Sequence, residues 1–190
     1  VLELVGSFAI GEGERRILRL VLKLFAEVGL VGLPNAGKST LLARVTAATP
    51  KIADYPFTTL VPHVGIARVG DFDTLVLADL PGLIEGASEG HGLGHRFLKH
   101  VERCKVLLHL VDVSAFAELE PARAFEVIDR ELAAFSTELS TKPRVLVATK
   151  FEEPSCEGRV LELERAAGAP AVRISAVRGD GLNELLLAAR

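Results

Sequence analysis

The 190-residue chain contains no methionine and no tryptophan, and only one tyrosine. A chain that opens on Val1 without a methionine is expected to be a piece of a longer or processed product. Its two cysteines, Cys104 and Cys156, are too few for a disulfide framework or a spaced metal cluster. They fit a reducing, cytoplasmic setting, with Cys104 packed as a small apolar residue. A net charge of only −3 offers no bulk attraction to nucleic acid or to an acidic membrane. Long apolar runs are missing too. The nearest one, Ile17 to Leu33, is broken by Arg19, Lys23 and Glu27 and reads as strands, so no membrane partner is expected.

The chain does have enough apolar material for a sizeable core, at 49% hydrophobic against 25% charged. Its organising stretch is Gly32-Leu33-Pro34-Asn35-Ala36-Gly37-Lys38-Ser39, which fits the phosphate-binding pattern G-x-x-x-x-G-K-[ST]. An apolar strand precedes it (Val28 to Val31) and a helix-compatible run follows from Thr40. Gly32 and Gly37 let the backbone turn tightly and approach an anion. The N–H groups of residues 35 to 39 can then converge on phosphate oxygens at a helix N-terminus. In that pattern Lys38 reaches the β- and γ-phosphates, and the Ser39 hydroxyl ligates Mg²⁺.

The remaining chain alternates strands and helices. His63–Val69 and Thr74–Ala78 read as a hairpin. Lys105–Val113, Arg144–Thr149 and Ala171–Ile174 read as buried strands. Helices are expected at about Leu93–Arg103, Pro121–Phe135, Glu157–Ala167 (stopped by Gly168) and Leu182–Ala189. Thr49 to Pro62, with three prolines, reads as an irregular loop. The fold class is therefore α/β, a mostly parallel sheet with helices on both faces. Residues 1–25 read as two strands belonging to a preceding domain or an appended hairpin, and 26–190 as the nucleotide-binding domain.

Asp79 ends a strand on the ligand side of such a sheet, where a carboxylate can hold Mg²⁺ through water. Gly82 has no side chain to shield its N–H from a γ-phosphate. Thr58 and Thr59 lie in the loop that would face the nucleotide, and composition does not choose between them. Glu152, after a buried strand, is a carboxylate able to accept from the ring N–H and amine of guanine. Lys150 can lay its stem across a base. Ser175-Ala176-Val177 can offer a backbone N–H to the guanine carbonyl. Each of these three signals is weak alone.

Three long motifs change that. Val28 to Leu42, Lys51 to Pro62, and Asp79-Leu80-Pro81-Gly82-Leu83-Ile84-Glu85-Gly86-Ala87-Ser88-Glu89-Gly90 resemble the G domain of the Obg family of ribosome-associated GTPases. Residues 11–25 are similar to the end of that family's glycine-rich amino-terminal domain.

The resemblance implies a P-loop NTPase G domain binding GTP or GDP with Mg²⁺. It places Gly32 to Ser39 and Thr40 on the phosphates. Phe57, Thr58, Thr59, Leu60 and Val61 would form a first switch, with Thr59 on the metal beside Ser39. Asp79, Leu80, Pro81 and Gly82 would open a second switch. Thr149, Lys150 and Glu152 would read the base, joined by Ser175, Ala176 and Val177. Lys38, Asn35, Thr59 and Gly82 would serve hydrolysis, with K⁺ held against the phosphates by Asn35. The alternative for Asn35 is a hydrogen bond within its own loop. The implied role is a slow GTPase switch in large-ribosomal-subunit assembly, with that subunit or its RNA as partner. One departure stands out: the family pattern in the base box is Asn-Lys-x-Asp, and this chain has Thr149 and Glu152. Guanine preference is expected to survive in weakened form.

Two other readings follow from the same residues. One is a guanine-nucleotide scaffold with negligible hydrolysis, and the other an ATP-using P-loop protein. His91, His95, His100 and His109 lack partners at ligand spacing and read as structural. Arg96, Lys99 and Arg103 share one helical face, as a solvated surface or a partner-docking one.

Overall fold

The computed structural model describes residues 26–46, 51–52, 63–70, 73–79 and 104–190. The readings made for residues 1–25, for the loop residues 53–62 and for the helix at 93–103 lie outside them.

A seven-stranded sheet carries the fold. Its strands are β1 (Val28–Val31), β2 (Lys51–Ile52), β3 (His63–Val69), β4 (Asp73–Asp79), β5 (Val106–Asp112), β6 (Arg144–Thr149) and β7 (Ala171–Arg173). Their order across the sheet is β2-β3-β4-β1-β5-β6-β7. The strands β4, β1, β5, β6 and β7 run parallel, while at one edge β3 pairs antiparallel with β4 and β2 antiparallel with β3. All four residues of β1 are buried, as a central strand covered on both faces requires. The hairpin strand β3 instead alternates exposed and buried positions, because the edge has one wet face.

Five helices are described: α1 (Lys38–Val45), α2 (Pro121–Phe135), α3 (Thr137–Ser140), α4 (Cys156–Ala167) and α5 (Leu182–Ala188). Leu41 and Leu42 of α1 and Leu185 and Leu186 of α5 pack on one face of the sheet, against Leu30, Leu77, Leu108 and Leu110. On the other face, Ile128 and Leu132 of α2 pack over Val31 and Leu107, and Val160 and Leu163 of α4 over Val111 and Leu146. Period-2 alternation in β5 sends Leu108 and Leu110 one way and Leu107 and Val111 the other. Each fully buried leucine contributes about 1.5–3 kcal/mol of transfer free energy.

Two elements depart from the sequence reading. Lys51–Ile52, expected within an irregular loop, forms β2 by pairing with His63 and Val64. Two residues are too few to show periodicity, and backbone bonds alone define the strand. The single turn α3 was not expected either. Ser136 is extended and ends α2, and the Ser140 and Thr141 hydroxyls donate to the Thr137 carbonyl at 2.9 and 3.0 Å.

Candidate nucleotide-binding site

The parallel strands bring their C-terminal ends to one rim. Leu30 of β1 lies in register with Asp79 of β4, and Asp112 of β5 with Thr149 of β6. Segments far apart in sequence therefore leave the sheet side by side, where open α/β sheets bind ligands.

The loop between β1 and α1 is built around its own lysine. Lys38 Nζ donates to the Gly32 carbonyl at 2.8 Å and the Leu33 carbonyl at 3.0 Å. Burial lowers its pKa, opposed by the nearby Asp79 carboxylate. Gly32 has φ +155°, and a Cβ there would sit 2.5 Å from the Leu110 carbonyl oxygen. A side chain would have to push β5 away. Asn35 adopts φ 62°, a left-handed conformation that asparagine tolerates. Its Nδ2 donates to Glu118 Oε1 at 3.3 Å. The alternative of a bond within the loop is thus corrected: the side chain reaches the loop after β5.

Beside the loop, the Ser39 hydroxyl donates to Asp79 Oδ2 at 2.8 Å. Asp79 is buried, and its Oδ1 has no hydrogen-bond partner among the described residues. A buried carboxylate oxygen without a donor is costly unless something else satisfies it. Thr40 follows on α1 and is exposed.

The end of β6 supplies the second half. Thr149 is buried, and its Oγ1 lies 2.8 Å from the Ala36 carbonyl and 3.1 Å from the Val111 carbonyl. Lys150 takes φ 56°, an uncommon conformation for lysine. The next amide, that of Phe151, is fixed by donating to the Ile174 carbonyl at 3.0 Å. Lys150 Nζ donates to Asp112 Oδ2 at 2.6 Å. Asp112 Oδ1 in turn accepts from the Ser114 amide at 2.8 Å. Ser175 is fully buried, and its hydroxyl donates to Glu152 Oε1 at 3.1 Å while accepting from the Arg178 amide at 3.2 Å. A cleft of about 820 Å³ opens here, lined by Glu152, Ser175, Arg173, Arg178 and Asp180. Ala176 and Val177 continue the loop after Ser175, and Val177 is exposed.

The fold thus gathers Gly32–Thr40, Asp79, Thr149, Lys150, Glu152 and Ser175 on one rim. Phe57, Thr58, Thr59, Leu60, Val61, Leu80, Pro81 and Gly82 lie outside the described residues, as do His91, His95 and His100. His109 is buried in β5 and stacks on Phe125 with ring centroids 4.9 Å apart, away from the rim. Asp112 and Glu118 were not anticipated. An acid closing the apolar run Val106–Asp112 was the available signal for the first; Glu118 had none, because its contact with Asn35 spans 83 residues.

The family model described as 50S ribosome-binding GTPase matches residues 27–150. The chain belongs to this GTPase family. Among curated proteins it is 57% identical over 178 residues to the GTPase Obg of Syntrophotalea carbinolica, covering 92% of this chain and 50% of that protein. It is 54% identical over 176 residues to the GTPase Obg of Desulforudis audaxviator, covering 92% and 41%. The resemblance to Obg read from the three motifs therefore extends along the chain. The chain spans about half the length, or less, of these two relatives. Among solved structures, the G domain of the T. maritima FeoB iron transporter aligns with a TM-score of 0.63 at 24% identity, covering 86% of this chain and 96% of that one. At that identity the likeness is one of fold, and it agrees with a G domain. Among the described residues no helix is long and apolar enough to cross a membrane.

Proposed function

We propose that residues 26–190 bind GTP and GDP with Mg²⁺ and hydrolyse GTP slowly, as a cytoplasmic switch acting with the large ribosomal subunit or its RNA. Residues 1–25 are read as the end of a preceding Obg-type domain. The observation that carries the reading is the trio Lys38, Ser39 and Asp79, in which a partly buried ammonium, a hydroxyl and an unsatisfied carboxylate oxygen share one rim.

That donor set suits a hard cation. Mg²⁺ is held by oxygen ligands and often by only one or two protein groups plus phosphate and water. Among the described residues no three His, Cys, Asp or Glu side chains gather, which fits an ion shared with a ligand better than a closed protein cage. Ser39 would ligate it directly, Thr59 from the first switch, and Asp79 through water. The ion supplies neutralisation of phosphate charge. Lys38 would exchange its two loop carbonyls for phosphate oxygens. Backbone amides from Asn35 to Ser39, the side of Thr40, and Gly82 would complete the anion cradle. Glu152, with Lys150 and the Ser175-Ala176-Val177 loop, would select the base.

A nucleotide panel tests this. GDP is expected to bind at least about tenfold tighter than ADP, and more weakly when Mg²⁺ is chelated. Equal GDP and ADP affinity would favour the ATP-using reading. Tight GTP binding without turnover in a single-turnover assay would favour the scaffold.

A further inference from the structure

We propose that this site reads guanine from its Watson–Crick edge alone, Thr149 serving as a tie between the P-loop and β5 and making no bond to the base. The proposal rests on the guanine-nucleotide reading above and concerns the one place where the chain leaves its family's pattern.

A threonine hydroxyl carries one donor hydrogen, whereas an asparagine amide carries two. Both neighbours of Thr149 Oγ1, the Ala36 carbonyl at 2.8 Å and the Val111 carbonyl at 3.1 Å, are acceptors. The single proton is therefore committed to the backbone. With Thr149 only 3% exposed, the hydroxyl is enclosed by these partners. The major-groove edge of guanine, which an amide at this position would face, offers only acceptors, N7 and O6. An oxygen whose proton is already taken gains nothing from either.

The geometry also shows what threonine keeps. Residue 149 still fastens the P-loop at Ala36 to the end of β6, and the Val111 carbonyl of β5 shares the same proton from the longer distance. The contact that shapes the phosphate loop survives, and the contact to the purine's five-membered ring does not. Recognition then falls on Glu152. Arg178 N–H donates to Ser175 Oγ, which leaves the Ser175 proton to point at Glu152 Oε1. That bond fixes the carboxylate, whose Oε2 makes no hydrogen bond among the described residues. Such a carboxylate can accept from N1–H and the 2-amino group together.

Three nucleotides separate the edges. GDP has both, 7-deaza-GDP lacks the N7 acceptor, and IDP lacks the 2-amino donor. Titrated onto the chain with Mg²⁺, 7-deaza-GDP should match GDP within about twofold, while IDP should bind roughly tenfold or more weakly, as for a carboxylate oxygen left without its donor. In Thr149→Asn, whose second amide proton can reach N7, GDP should regain an advantage over 7-deaza-GDP of about fivefold. A purely structural Thr149 change would move all three affinities in parallel. A tenfold or greater loss with 7-deaza-GDP on the parent chain would overturn the proposal, and needs no variant to fold. IDP binding as tightly as GDP would remove Glu152 as the reader of the 2-amino group. Failure to bind any guanine nucleotide would instead sink the underlying functional reading.

Discussion

The Lys150 ammonium is held 2.6 Å from the Asp112 carboxylate, joining the ends of two adjacent parallel strands, β5 and β6. Lys150 is the residue expected to lie along the base, and its stem is aimed by the partner at its tip. The Asp112 side chain is only 15% exposed, so solvent screens the pair less than a surface one. Asp112→Asn keeps the bond from the Ser114 amide but removes the charge. It should weaken GDP by about 0.5–1.5 kcal/mol, without a comparable loss of stability. Calorimetric titration beside a urea melt measures both; unchanged GDP affinity would detach Asp112 from the site.

Lys38→Ala removes a positive side chain from the centre of the phosphate loop. Loss of a charge-assisted contact should cost about 1.5–3 kcal/mol in GDP binding, one to two decades in affinity. The variant should not lose stability in proportion, since burial already disfavours the charged lysine in the folded chain. A folded Lys38→Ala chain with parental GDP affinity would contradict the loop's assigned role.

His109 gives the fold a pH dependence unconnected with the site. Burial is the main cause lowering its pKa from 6.5 to about 4, with Arg144 adding to the shift and Asp129 opposing it. The unfolded chain takes up the proton near pH 6.5 and the folded chain only near 4. More protons are bound in the unfolded state between those values, so stability falls as pH drops through the window. At pH 5 the loss should be on the order of 2 kcal/mol. His109→Phe should abolish that component and remove two buried nitrogens that have no partner among the described residues. Urea midpoints at pH 7 and pH 5 for the two chains give the comparison, and an identical shift in both would count against His109.

Gly65 is a packing glycine. A Cβ added there would lie 2.1 Å from Thr46 Cγ2 and 3.2 Å from Leu42 Cδ1, where β3 meets α1. Thr46 cannot easily yield, because its hydroxyl donates to the Leu42 carbonyl at 2.8 Å. Gly65→Ala should destabilise the chain by about 1–3 kcal/mol through overpacking. Thermal unfolding would reveal it, and a midpoint equal to the parent's would mean that α1 moves away freely.

Hydrolysis should proceed on the order of 10⁻⁴ to 10⁻³ per second without a partner. After the Asp-x-x-Gly glycine this chain has Leu83, whose side chain has no group to orient water. K⁺ held through Asn35 would stabilise charge developing in the transition state. The Asn35 amide now donates to Glu118, so the ion would have to replace that bond. Single-turnover assays in KCl and NaCl at equal ionic strength should show a faster rate in KCl, lost in Asn35→Ala. Equal parental rates would discard the cation.

Local chemistry was enough to announce the P-loop, the parallel strands and most helices. A glycine-rich turn between an apolar strand and a helix is written within a dozen residues. So are strands β1, β5 and β6, whose near-continuous apolar runs reflect burial on both faces. Pro121 and Gly168 mark the start of α2 and the end of α4 by their own backbone preferences. Sequence also singled out Thr149 and Glu152 as departures. It could not say what a hydroxyl at 149 would touch, because Ala36 is 113 residues away and Val111 is 38. The same holds for Asp112 with Lys150, Ser39 with Asp79, and Gly65 with Thr46. Each pair exists only because strand order and register bring distant segments to the same rim or the same layer. Residue type decided which chemistry was on offer, and the sheet's topology decided which groups were left to perform it.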